Sequence, residues 1–125
     1  MKFKCVPALI YKAFDVAKRY RRRGEIPLDR AEALMRASVN DGCIYIASGN
    51  DDIDVQVRVR CAVDKDGSII VPMALLWRLL AKMSEEPLDF DCITPVGEPP
   101  RLQIASQSSH WEIYGRDGDD WGLTA

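Results

Sequence analysis

The order strand, helix, then three antiparallel strands occurs twice in this chain, and that repetition restricts its fold more than any other feature. The two strand-to-helix junctions are alike, Val6-Pro7-Ala8-Leu9-Ile10 against Val71-Pro72-Met73-Ala74-Leu75-Leu76, at an offset of 65 residues. In the first half Lys2 to Val6 alternates as a strand, and Pro7 stands in the first helical turn, where its missing N–H costs nothing. Leu9, Ile10, Ala13, Phe14, Ala17 and Tyr20 fall on one buried helical stripe, leaving Lys12, Asp15, Arg19 and Arg22 on the opposite face. Gly24 and Pro27 end the helix. Glu32 to Val39 and Cys43 to Ala47 read as strands around an Asn40-Asp41-Gly42 turn. Ile53, Val55, Val57, Val59 and Cys61 then alternate with polar residues as a third strand, one face on a core and one in water.

After the turn Asp64-Lys65-Asp66-Gly67 the pattern restarts. Ser68 to Val71 is a short strand, and Pro72 opens a helix whose buried stripe is Met73, Leu75, Leu76, Leu79, Leu80 and Met83, with Arg78 and Lys82 outward one turn apart. Leu88 to Cys92, Arg101 to Ala105 and Trp111 to Tyr114 supply three more strands. The expected fold is α+β: one domain over residues 1–125 with pseudo-repeats at about 1–66 and 67–121. Each repeat is a β-α-β-β-β unit, and the two helices pack side by side on one face of antiparallel sheet about an approximate two-fold axis.

A chain of 125 residues buries roughly two thirds of its unfolded surface, so a self-sufficient core needs neither disulfide nor metal. No apolar run is long enough to span a bilayer, and Met1-Lys2-Phe3-Lys4 lacks the character of a signal peptide, so a cytoplasmic protein with no membrane partner is expected. Cys5, Cys43, Cys61 and Cys92 are too far apart in sequence for a zinc motif and read as reduced core residues. The near-neutral total charge of −2 hides an asymmetry. Residues 1–36 hold ten Lys/Arg against four Asp/Glu, whereas residues 37–125 hold seven against fifteen. The basic excess is concentrated in Lys18, Arg19, Arg21, Arg22 and Arg23, which read either as a phosphate-contacting patch or as the solvated cationic end of a helix.

Catalytic signals are sparse. His110 is the only histidine and stands at a turn or strand start, and neither a nucleophile elbow nor a phosphate-cradling glycine loop is present. The clusters Asp51-Asp52-Asp54 and Asp117-Asp119-Asp120 lack EF-hand spacing and read as charged loops. No metal, no cofactor and no enzymatic activity are expected. Trp77, Trp111 and Trp121 read either as interface anchors or as core and edge packing.

Several stretches spread over the whole chain carry a family resemblance. They are Met1-Lys2-Phe3, the helix pattern Leu9 to Val16, Arg22-Arg23-Gly24-Glu25-Ile26-Pro27, the turn Asn40-Asp41-Gly42, Gly67-Ser68-Ile69-Ile70-Val71-Pro72 with Leu75-Leu76 and Leu79-Leu80, Arg101-Leu102-Gln103-Ile104-Ala105-Ser106, and Asp119-Asp120-Trp121. In this order and spacing the chain resembles the N-terminal domain of the bacterial sliding clamp, the beta subunit of DNA polymerase III. The resemblance implies a clamp domain whose two helices line a ring around duplex DNA, touching phosphates through Lys and Arg without reading sequence. Carried onto this chain, the DNA-contacting residues are Lys12, Lys18, Arg19, Arg21, Arg22, Arg23, Arg78 and Lys82. The strand from His110 to Gly115, with Trp111 and Ile113, matches an edge that in the family meets another subunit. The resemblance covers one domain, whereas bacterial clamp subunits carry three and close a six-domain ring from two subunits. The family's partner-binding cleft lies in the later domains and has no counterpart in the matched residues.

Three functional readings follow. The first is a clamp-like protein on duplex DNA that self-associates or joins other clamp domains, with polymerase machinery as a further partner. The second is a module that binds a full-length clamp or another protein through the Trp111 edge without encircling DNA. The third is a metal-dependent nuclease or hydrolase using Asp51, Asp52, Asp54 or His110, which the motif survey disfavours.

Overall fold

A computed structural model of the chain describes residues 1–20, 27–49, 54–83 and 86–121. In chain order the elements are β1 (Lys2–Cys5), α1 (Pro7–Ala17), β2 (Glu32–Ser38), β3 (Cys43–Gly49), β4 (Asp54–Arg60), β5 (Ala62–Lys65), β6 (Gly67–Pro72), α2 (Met73–Ala81), β7 (Leu88–Ile93), β8 (Arg101–Ala105), β9 (His110–Tyr114) and β10 (Arg116–Asp117). The strands form two five-stranded antiparallel sheets, in the orders β5-β1-β7-β8-β9 and β10-β6-β2-β3-β4. The two-helix α+β clamp architecture expected from the sequence is the one observed.

One feature of this order goes beyond the expected pattern, because each half lends its first strand to the other. β1 pairs with β7 of the second half, Phe3 opposite Phe90, and β6 pairs with β2 of the first half, Leu34 opposite Ile70. Replacing each of β1 to β5 by its counterpart among β6 to β10 turns one sheet order into the other. Each sheet also gains a short outer strand that the sequence pattern does not announce, β5 beside β1 and β10 beside β6. Ala62–Lys65 and Arg116–Asp117 carry almost no apolar alternation, with Val63 alone packed against the core, and their pairing rests mainly on backbone groups.

One core joins both sheets to both helices. Phe3, Met35, Ile44, Ile46, Leu88, Phe90, Leu102, Ile104 and Ile113 point from the sheets toward Ile10, Phe14, Met73, Leu76 and Leu80 of the helices, all buried. Leu9 and Leu75, expected in the buried stripes of α1 and α2, are instead 47% and 54% exposed. Leu76 and Leu80 face the core, and Leu75 is turned about 100° from Leu76 around the helix. The Asn40-Asp41-Gly42 turn forms as expected, with Gly42 at φ 63°, a left-handed conformation that glycine adopts without steric cost. The C-terminal end of α1 is pinned to β3 by the buried Ser48, whose hydroxyl donates to the Ala17 carbonyl, one of the acceptors that a helix end leaves unpaired.

Candidate nucleic-acid interface

The helices α1 and α2 pack against one another on the same side of the sheets. Their sequences superpose at an offset of 66 residues: buried Ile10 and Phe14 correspond to Leu76 and Leu80, while exposed Leu9 and Lys12 correspond to Leu75 and Arg78. Tyr11 and Trp77 also correspond, and they meet, with ring centroids 5.8 Å apart and planes 11° from parallel. The approximate two-fold relation therefore passes between these two rings. This contact accounts for Trp77 as a packing residue: it is half-buried and stacked on Tyr11 of α1.

The outward face of the pair carries Leu9, Lys12, Val16 and Arg19 from α1 and its continuation, and Leu75, Arg78 and Lys82 from α2 and its end. The four cations are exposed, and among the described residues no carboxylate lies within ion-pair distance of Lys12 or Lys82. Lys18 differs from them. It is half-buried, its Nζ sits 3.8 Å above the Trp77 ring, and it approaches Asp15 at 3.1 Å. Asp15 also receives Arg19 at 3.3 Å. Lys18 thus braces α1 against α2, a role that spacing alone does not reveal because it depends on the ring of the other helix. Arg21, Arg22 and Arg23 lie outside the described residues, as do Asp51 and Asp52.

Away from the helices the sheet surface is mixed in sign and carries several ion pairs. Lys4 lies 3.6 Å from Asp89, Arg101 lies 3.6 Å from both Glu98 and Glu112, and Arg116 makes a two-pronged pair with Glu32 at 2.8 and 2.9 Å. β9 and β4 are terminal strands of their sheets, each with one neighbour. On β9, Ile113 is buried in the domain's own core and Trp111 is half-buried against it, because the residues alternate and this face points inward. The groups β9 presents outward are His110, Glu112, Tyr114 and its free backbone edge. Ile113 thus holds the edge strand in place from within the core. Among the described residues no three of His, Cys, Asp and Glu gather as metal ligands, and no helix is long and apolar enough to cross a membrane.

The exchanged strands and paired helices define the class: the fold is that of a DNA clamp domain. Solved structures with this fold include the beta subunit of DNA polymerase from Streptococcus pyogenes (TM-score 0.81, 14% identity, covering 97% of this chain and 32% of that one). The Helicobacter pylori beta clamp bound to a DNA ligase peptide gives TM-score 0.80 at 11% identity, covering 97% and 32%. The DNA polymerase III subunit beta sliding clamp of Bartonella birtlesii gives 0.78 at 18%, covering 97% and 33%. The chain thus spans about a third of the length of these clamps. No protein-family model and no curated protein matches the sequence.

Proposed function

We propose that this chain is a sliding-clamp-like, DNA-associated protein that holds duplex DNA non-specifically and without catalysis, as one of several clamp domains arranged around the duplex. The observation that most supports this is the shared helix face, where Lys12, Arg19, Arg78 and Lys82 stand exposed on a fold held in common with DNA polymerase beta subunits. Cations on one rigid face suit phosphates, which are uniform along the duplex and carry no sequence information. Arg21, Arg22 and Arg23 extend this basic run in sequence, and Lys18 contributes by holding the helices together. The additional domains are copies of this chain or other clamp domains, joined through the terminal strands β4 and β9, whose free edges are built for strand addition. Polymerase machinery is the further partner of such an assembly, and the cytoplasm its compartment.

The test is anisotropy of a short labelled duplex measured over a range of salt concentrations. Each phosphate contact contributes about 0.9 to the slope of log affinity against log salt, so Lys12→Glu with Lys82→Glu should lower the slope by about two units and weaken binding at every sequence. Arg22→Glu with Arg23→Glu should act in the same direction. Unchanged slope and affinity in both variants would refute the assigned face. A second reading is supported by β9 alone: this terminal strand, backed by half-buried Trp111, offers an edge to another clamp or protein. It takes precedence if the chain forms a complex with a full-length clamp yet shows no salt-dependent hold on DNA.

A further inference from the structure

The four cysteines are reduced, and two of them are neighbours across a strand pair. β1 and β5 run antiparallel with Phe3 opposite Val63 and Lys4 opposite Ala62. The next step of that register sets Cys5 opposite Cys61, immediately before β5 begins. Phe3 and Cys5 face the core, and Val63 and Cys61 pack against it, so the two thiols lie on the same side of the ladder. Each thiol shifts the other: Cys61 lowers the Cys5 pKa, while Cys5 together with burial raises that of Cys61. Directly opposed residues of an antiparallel pair have Cα atoms about 4.5 to 5.5 Å apart, inside the span of about 4.4 to 6.8 Å that a disulfide bridges without moving the backbone.

We propose that Cys5 and Cys61 are a redox-active pair that a hydroperoxide converts to a disulfide, stapling the N-terminal strand to the crossing between the two sheets. Cys61 is the last residue between β4 of one sheet and β5 of the other, so the bond would tie the exchanged strand β1 to the end of its own half. The inference rests on the strand register and holds whether or not the helix face binds DNA. The roles follow from the opposite directions in which the two opposed thiols are shifted. Cys5 is the attacking sulfur, and Cys61 holds the proton and resolves. A small hydroperoxide arrives from the side of half-exposed Cys61. The Cys5 thiolate attacks its terminal oxygen, the S–O bond forms, the O–O bond breaks, and the departing oxygen takes the Cys61 proton. The Cys61 thiolate then attacks the Cys5 sulfenic acid, the S–S bond forms, and hydroxide leaves as water after taking a solvent proton. Two thiols lose two electrons, and hydrogen peroxide becomes two waters.

Treating the full-length reduced protein with stoichiometric hydrogen peroxide, then alkylating and weighing it, tests this. The expected product is about 2 Da lighter than the reduced chain before alkylation. It alkylates at two of its four cysteines and yields a linked Cys5–Cys61 peptide that dithiothreitol releases. Because the bond closes a loop of more than fifty residues, the oxidised form should melt about 5 to 15 °C higher. Cys61→Ser should stop the reaction at a dimedone-reactive sulfenic acid on Cys5, whereas Cys43→Ala with Cys92→Ala should leave the cross-link intact. Four alkylated cysteines after oxidation, a link that maps to another pair, or an oxidised form that melts no higher would each overturn the proposal. Cys61 is only half-buried, so Cys61→Ser keeps the test open if the buried Cys5→Ser variant fails to fold.

Discussion

The strand exchange makes a quantitative demand on the Phe3–Phe90 pair. Phe3 comes from the first half and Phe90 from the second, they are register partners, and their rings stack at 4.7 Å with planes 6° apart, both fully buried. Replacing Phe90 by alanine removes a whole ring from a packed interior, at a cost of about 3 to 5 kcal/mol. A domain of this size is stable by roughly 6 to 19 kcal/mol, so the variant should still fold, with much of its margin gone. At a urea dependence of about 2 kcal/mol per molar, the unfolding midpoint should fall by about 1.5 to 2.5 M. Part of that loss belongs to the partner ring, so a double-mutant cycle with Phe3→Ala should return a coupling of about 0.5 to 1.5 kcal/mol. Hydrogen exchange gives the sharper readout. A substitution in the second half should strip protection from the amides of Lys2–Cys5 in the first, because β1 has its ladder on β7. A midpoint shift below about 0.5 M, or Lys2–Cys5 amides protected as in the parent, would refute the exchange.

Two further outcomes follow from local geometry. A Cβ at Gly118 would lie 2.0 Å from Ser68 Oγ and 2.8 Å from the Ser68 carbonyl carbon, so Gly118→Ala must lift the β10 segment from β6. The expected loss is about 1 to 3 kcal/mol by urea titration, and an unchanged midpoint would count against this packing. Tyr45 donates to Asp41 at 2.7 Å, which pushes the phenol from its ordinary value of 10.0 up to about 12 and holds the Asp41 carboxyl below its usual range. The folded state favours the neutral phenol, so this contribution is intact below pH 10 and fades as pH rises toward 12. The Asp41 contribution is present above its unfolded value and fades on acidification through the lowered one. Titrating phenolate absorbance should show one tyrosine ionising late, and Asp41→Asn should return it toward 10.0; a late transition that survives the substitution excludes this cause.

The major elements were legible in the sequence because burial there follows period. Ile10, Ala13, Phe14 and Ala17 mark α1, and Val55, Val57 and Val59 mark β4, so periodicity alone sets each element and most of its inward face, missing only at its margins, where Leu9 and Leu75 are exposed. Partner choice between strands was not legible. Nothing in Lys2–Cys5 distinguishes a neighbour in its own half from one in the other, since an alternating strand fits any apolar sheet edge. β5 and β10 escaped for a different reason, as they contribute mainly backbone pairing, with Val63 their one apolar side chain against the core. On the helix face the outward positions of Lys12, Arg19, Arg78 and Lys82 were readable from helical phase, while the inward turn of Lys18 was not, because it is set by Trp77 some sixty residues away.

The exchange also bears on what the helix face can do. Each half completes the other's sheet, so the helices are held by a common core, and Tyr11 against Trp77 with Lys18 above fixes their separation. The resulting face is rigid but sparsely charged. Leu9, Val16 and Leu75 stand exposed between its cations, and Asp15 already takes up part of the charge of Lys18 and Arg19. On the proposed reading, the four exposed helix cations alone give a salt slope of about 3.6, too shallow for the helix face by itself to hold DNA tightly at physiological ionic strength. Weak contacts to a uniform phosphate lattice favour movement along the duplex over residence at one site. Retention must then come from several such faces acting together, each raising the effective concentration of the next. A single domain should therefore bind and release quickly, and an assembly of them should bind far more tightly without any new kind of contact.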